Sequence, residues 1–166
     1  MRKVIAITGH RRFSNLRKKE VQAWIQSMSE MALRLHSDAI FICGGAPGVD
    51  LWAAEVWSEM GVDWVLVKPC GNHGEGVWSP QLLARRDELA KKAMKVKVLM
   101  PEYRRGCLNK RNEFMVNHSD LVLGLFDGRQ RGGTKHCLSY ARQNEKPIVW
   151  LDCRQKPILR SVNLSK

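Results

Sequence analysis

Residues 39–50 read AIFICGGAPGVD, and the chain continues as LWAAEVWSEM through residue 60. Ala39–Cys43 is an apolar run of strand length. The glycines and the proline after it mark a turn. Val49, Trp52, Ala53, Val56 and Met60 then recur at i, i+3, i+4, i+7 and i+11, which is one face of a helix, and Gly61 follows as its stop. A strand, a glycine-rich turn and a helix in that order form the building unit of a parallel α/β sheet.

The same alternation extends in both directions. Upstream, Val4–Ile7 reads as a strand, with Ser14 as N-cap of a helix whose face carries Val21, Trp24, Ile25, Met28, Met31, Ala32 and Leu35. Downstream, Trp64–Val67 is a third strand, and PCGNHGEGVWSP (residues 69–80) is a long loop. Leu82, Leu83, Leu89, Ala90 and Ala93 predict a helix through Met94, and Val96–Met100 a fourth strand. A helix over Asn109–His118, a strand at Leu121–Phe126, a helix face of Thr134, Cys137, Leu138 and Ala141, and a strand at Pro147–Leu151 complete the series. The expectation is an α/β fold: a parallel sheet of about six strands with helices on both faces. Residues 1–152 form the single domain, and 153–166 a short basic tail, either an edge extension or a loose end.

A chain of 166 residues, 44% hydrophobic and 27% charged, has ordinary globular composition, which excludes a fully disordered chain. The longest apolar runs fall far below the ~20 residues a membrane-spanning helix needs, and the N-terminus lacks the apolar stretch of a signal peptide. Five widely spaced cysteines without a C-x-x-C argue against a disulfide framework or a zinc site, and point to a reducing cytoplasm. The histidines show no metal-ligand spacing, so no metal is expected.

The net charge is +12. Residues 1–20 carry seven basic side chains against Glu20, whereas residues 21–100 are close to neutral. The remaining excess lies in residues 101–111, 129–146 and the tail. Ligands of parallel α/β sheets bind beyond the carboxyl ends of the strands. The segments expected there are TGHRR (8–12), GGAPGVD (44–50), KRN (110–112) and DGRQRGGT (127–134). Glycine-rich strand-to-helix turns let backbone N–H groups approach an anion, and a helix N-terminus adds partial positive charge. Neither a Walker sequence nor the G-x-G-x-x-G dinucleotide fingerprint is present. Arg111 can clamp a phosphate bidentately. Asp50 can bond ribose hydroxyls, act as an acid or make a structural hydrogen bond, and Asp127 reads as a turn residue. Trp78 either stacks on a base or pins its loop.

ITGHR, CGGAPGVDLWAAE, RNEFMV with SD, DG with GGT, and YAR together resemble the SLOG superfamily, which unites Lonely Guy and DNA-processing protein A proteins. The combination of GVDLWAAE, RN and GGT looks most like its YpsA-like branch, over about residues 5–151. The resemblance implies a Rossmann-like fold holding a nucleotide-type ligand in a basic groove. Thr8, Gly9, His10 and Arg11 would form its first ligand loop, and Gly44, Gly45, Ala46, Gly48 and Asp50 its second. Arg111 and Met115 match the R-K-x-x-M segment of Lonely Guy enzymes, with Asn112 in place of the lysine. Gly132, Gly133 and Thr134 match the end of their phosphate loop. The glutamate that serves N-glycosidic cleavage in those enzymes falls at Cys137, and a buried thiol cannot replace a carboxylate at neutral pH. No catalytic residue is therefore assigned, although Asp50 or Glu113 would be the substitutes.

Three functions remain. The first is a sensor or binding module for a nucleotide-derived, phosphate-bearing ligand, such as an ADP-ribose, NAD or nucleoside-monophosphate derivative, with no cofactor required. The second is a phosphoribohydrolase-like nucleotide-processing hydrolase. The third is a single-stranded nucleic-acid binder, which the charge supports and the small number of Tyr and Phe opposes. No membrane partner is expected, and apolar helix faces would permit a homodimer.

Overall fold

The computed structural model describes residues 1–12 and 18–154, with residues 162–165 described as backbone. The strands are β1 (Val4–Gly9), β2 (Ile40–Cys43), β3 (Trp64–Lys68), β4 (Lys95–Val98), β5 (Leu121–Phe126), β6 (Ile148–Asp152) and β7 (Val162–Ser165). The helices are α1 (Lys18–Leu35), α2 (Val49–Met60), α3 (Pro80–Ala90), α4 (Cys107–Asn117) and α5 (Gly133–Gln143). One sheet runs in the order β4-β3-β2-β1-β5-β6-β7. Strands β1 to β6 pair in parallel, as the alternation of strands and helices requires. The segment expected as an edge extension or loose end supplies β7, which pairs antiparallel with β6.

Successive side chains of a strand point to opposite faces, and each central strand feeds two cores. Ile5, Ile7, Phe41, Cys43 and Leu66 join α1 and α2 in one core, where Phe41 stacks on Trp57 at 5.2 Å. Ala6, Ile42, Val67 and Val122 join α4 and α5 in the other. Ser29 accepts a hydrogen bond from the Trp57 indole N–H at 2.9 Å, satisfying the polar end of a fully buried ring.

Local chemistry sets most boundaries. Ser79 caps α3 by accepting from the Leu82 N–H, and Pro80 occupies its first turn. Helix α3 ends at Ala90 rather than at Met94, because residues 91–94 turn to bring the Met94 N–H onto the Trp64 carbonyl and start β4 beside β3. Strand β4 is an exposed edge, and its Lys95 and Lys97 discourage pairing with another chain. The Ser14 cap lies outside the described residues. Among those residues no helix is long and apolar enough to cross a membrane.

The chain winds leftward from β1 through β2, β3 and β4, then returns so that β5 lies on the other side of β1. That reversal leaves a crevice beyond the carboxyl ends of β1 and β5, with the starts of α4 and α5 beside it.

Candidate functional site

A cavity of about 480 Å³ fills this crevice. The end of β1 contributes Ile7, Thr8 and Gly9, followed by His10, Arg11 and Arg12. Helix α4 contributes Leu108, Arg111, Asn112 and Met115. The entry to α5 contributes Gly132, Gly133 and Thr134, preceded by Arg129. From the β2–α2 loop and the first turn of α2, only Ala46 and Asp50 reach the wall.

The GGAPGVD loop therefore does something other than face the cavity with its glycines. The Asp50 carboxylate, 6% exposed, accepts hydrogen bonds from the Gly44 N–H (3.1 Å) and the Ala46 N–H (3.3 Å). These amides already have an acceptor, and it belongs to the protein. Gly44, Gly45 and Gly48 lie behind the wall. A Cβ at Gly45 would strike Leu66, and one at Gly44 would strike the Arg111 guanidinium. Burial pushes the Asp50 carboxyl above the usual carboxylate range, and the positive charge of Arg111 is the largest influence opposing it.

Arg111 is buried in the first half of α4. It donates through Nη1 to the Gly44 carbonyl and through Nε to Asn112 Oδ1 at 2.9 Å. Asn112 in turn donates through Nδ2 to the Gly133 carbonyl at 3.1 Å. A continuous hydrogen-bonded chain thus runs from Asp50 through Gly44, Arg111 and Asn112 to the first residue of α5. It fixes three strand-to-helix connections relative to one another. Gly132 caps α5 without a side-chain hydrogen bond, which leaves the positive end of that helix facing the cavity.

On the β5 side, His10 packs against Phe126 and lies 3.0 Å from Asp127 Oδ1. Burial lowers the His10 pKa, and Asp127 partly offsets this. Asp127 also pairs with Arg129 through both carboxylate oxygens, and hydrogen bonds from Arg129 hold its carboxyl down at about 2. A carboxylate with a depressed pKa stabilises the fold above its ordinary value, and that stability is lost as pH falls through the folded value. Asp127→Asn is therefore expected to cost about 1 kcal/mol at neutral pH, given its partial exposure, and almost nothing near pH 2. Urea denaturation at the two pH values checks this, and an equal loss at both would refute it.

Cys137 is fully buried beneath Thr8, with which it shares a hydrogen bond, and burial pushes its thiol up to about 12. It is a neutral thiol at physiological pH. Glu113 pairs with His136 at 3.1 Å between α4 and α5 and does not line the cavity. Arg12 and Arg129 also line the cavity, although nothing in the basic segments TGHRR and DGRQRGGT singles them out as ligand residues. The burial of His73, which lies within the 69–79 loop, and of Arg86 on α3, which donates to the His73 carbonyl, is likewise not evident in the sequence.

A family model described as the YspA SLOG family matches residues 5–154. The chain belongs to the YspA SLOG family. The uncharacterised SPbeta prophage-derived protein YoqJ of Bacillus subtilis is 42% identical over 36 residues, which is 22% of this SLOG chain and 20% of YoqJ. The fold recurs in DNA processing protein A of Helicobacter pylori, described for its single-stranded DNA binding mode. That match has a TM-score of 0.66 at 21% identity over 99% of this chain and 68% of the other. The Streptococcus pneumoniae counterpart gives 0.65 at 17% identity over 90% of this chain, which spans half of that protein's length. The molybdenum cofactor carrier protein of Chlamydomonas reinhardtii gives 0.60 at 15% identity over 91% and 77%.

Proposed function

We propose that this chain binds a phosphate-bearing, nucleotide-derived ligand in the cavity and acts as a sensor or binding module. The observation that carries the reading is the open N-terminus of α5, set in a wall that also holds Arg11, Arg12, Arg111 and Arg129. Phosphate is the group that a helix N-terminus and guanidinium forks bind together. The cavity volume falls within the ~300–1,000 Å³ range of small-molecule sites. Binding is favoured over hydrolysis by the state of the acidic groups: Asp50 is engaged by Gly44 and Ala46, Glu113 by His136, and Cys137 is neutral. Structural neighbours named for carrying a cofactor and for binding single-stranded DNA agree with a binding role.

Small molecules released from the purified protein, identified by mass spectrometry, should include a phosphate-bearing compound. AMP, ADP-ribose and ribose 5-phosphate added to stripped protein should give measurable binding by calorimetry. No released phosphate compound, together with no binding of any of the three, would overturn the reading.

A second reading, a single-stranded nucleic-acid groove, is favoured by exposed Arg104, Arg105 and Arg131 at the same strand ends as the cavity. It predicts oligonucleotide affinity that falls steeply with salt. An oligonucleotide response that is undetectable or flat with salt would retire it.

A further inference from the structure

Beside the cavity, the β3–α3 loop holds a buried cluster that the reading above leaves unused. His73 is 4% exposed, and neither of its ring nitrogens has a hydrogen-bond partner among the described residues. Burial lowers its pKa to about 3, helped by the positive charges of Arg111, Arg86, Arg11 and Lys68, so the ring is neutral. A neutral imidazole offers one N–H and one lone pair, and burying both unpaired is costly. Trp78 stands edge-on to His73 with ring centroids 4.6 Å apart. The Arg11 guanidinium lies 5.8 Å and the Arg86 guanidinium 5.6 Å from the centre of the Trp78 ring. Gly74 abuts the indole so closely that a Cβ there would lie 2.4 Å from it. Arg11 belongs to both places, since it also lines the cavity.

We infer that Arg11 and Trp78 are the two jaws of a subsite for the planar heteroaromatic base of the ligand, with His73 at its back. This rests on the phosphate reading of the cavity and adds where the other end of the ligand goes. In the free protein Arg11 rests on the indole and the jaws are closed, so a base leaving the cavity past Arg11 must part them. Once between them it meets an indole face on one side and a guanidinium on the other, and both surfaces favour a flat π system. The donor and acceptor of His73 complement the donor and acceptor edge of a base. Its ring nitrogens are covered in the free protein, so Trp78 must shift to expose them. The left-handed backbone of Gly74 and Gly76, on either side of Glu75 and just ahead of Trp78, provides that freedom.

Calorimetry of AMP, GMP, CMP, UMP and ribose 5-phosphate against wild type, Trp78→Ala and His73→Leu tests this. Trp78→Ala should weaken the nucleotides by about fivefold to a hundredfold and leave ribose 5-phosphate unchanged. His73→Leu should flatten the preference among the four bases without changing ribose 5-phosphate. Trp78→Phe keeps a ring in place if alanine disrupts folding: it should retain nucleotide affinity and lose the fluorescence quench that nucleotides cause in wild type. Equal loss for nucleotides and ribose 5-phosphate, or no loss for either, overturns the base subsite while leaving the phosphate reading intact. Failure of every compound to bind wild type overturns the phosphate reading, and the subsite with it.

Discussion

Arg111→Ala is expected to lose about 3 kcal/mol of stability at neutral pH and to weaken any phosphate-bearing ligand by tenfold or more. The two losses have different causes. Arg111 is the largest favourable charge acting on the buried Asp50 carboxylate, and it ties Gly44 to Asn112. Removing it strands the buried Gly44 carbonyl and Asn112 Oδ1 without their donor, which typically costs about 1–3 kcal/mol, and withdraws the charge that favours ionised Asp50. The affinity loss reflects one charged hydrogen-bonding partner, about 1.5–3 kcal/mol. The pH dependence separates the stability terms. Asp50 has a folded pKa above its ordinary value, so ionising it costs folded-state stability, and Arg111 reduces that cost. Below the ordinary carboxylate range Asp50 is protonated in both folded and unfolded chains, and this part of the loss vanishes. As pH rises through the folded value the loss grows to its full size. The variant should therefore be closest to wild type where Asp50 is protonated in both folded and unfolded chains, and furthest from it above the folded value. Asp50→Asn in the Arg111→Ala background removes the stranded charge and should recover much of the stability without recovering ligand affinity. Denaturation curves across pH, paired with phosphate titrations, distinguish these outcomes. A loss independent of pH would show that Arg111 acts through packing alone.

Much of the fold was legible because each element carried its own physical signal. The helix face of Val49, Trp52, Ala53 and Val56 and the apolar β5 run left little choice once the alternation was seen. Edges were less legible: β4 alternates lysine and valine, and its exposure follows from its place at the end of the sheet, which no local pattern encodes. Among the anticipated ligand residues, Thr8 to Arg11, Arg111, Asn112 and Gly132 to Thr134 converge on one cavity because a parallel fold gathers strand ends. The GGAPGVD turn shows the limit of motif reading. Its composition suits phosphate, yet Asp50 lies close enough along the chain to take the same amides, and only three-dimensional placement shows which acceptor they hold. His73 sits in a run of glycines and polar residues that reads as a surface loop. Its burial depends on Trp78, five residues on, folding back over it.

Gly48→Ala is expected to be among the most damaging single-methyl changes in the protein, at about 3–5 kcal/mol, with loss of ligand binding in whatever fraction still folds. Gly48 has φ +82° and ψ −131° at the entry to α2, a region that residues with a Cβ almost never occupy, and that strain alone costs about 1–3 kcal/mol. The added Cβ would also lie 2.6 Å from the His10 carbonyl oxygen and 2.7 Å from Arg11 Cα. Both are backbone atoms and cannot swing aside as a flexible side chain would, so overpacking adds about 1–3 kcal/mol. Relief requires the His10–Arg11 backbone to move, and that backbone is a wall of the cavity. Gly61 supplies the control. It too is left-handed, at φ +66°, but nothing lies within 4 Å of its would-be Cβ. Gly61→Ala should therefore show conformational strain alone, about 1 kcal/mol, and should not change ligand affinity. If urea denaturation finds the two variants equally stable, or if Gly48→Ala binds phosphate compounds as wild type does, Gly48 serves only the turn. A large excess at Gly48, accompanied by lost binding, places the role of the second glycine loop in holding the first ligand loop against α2.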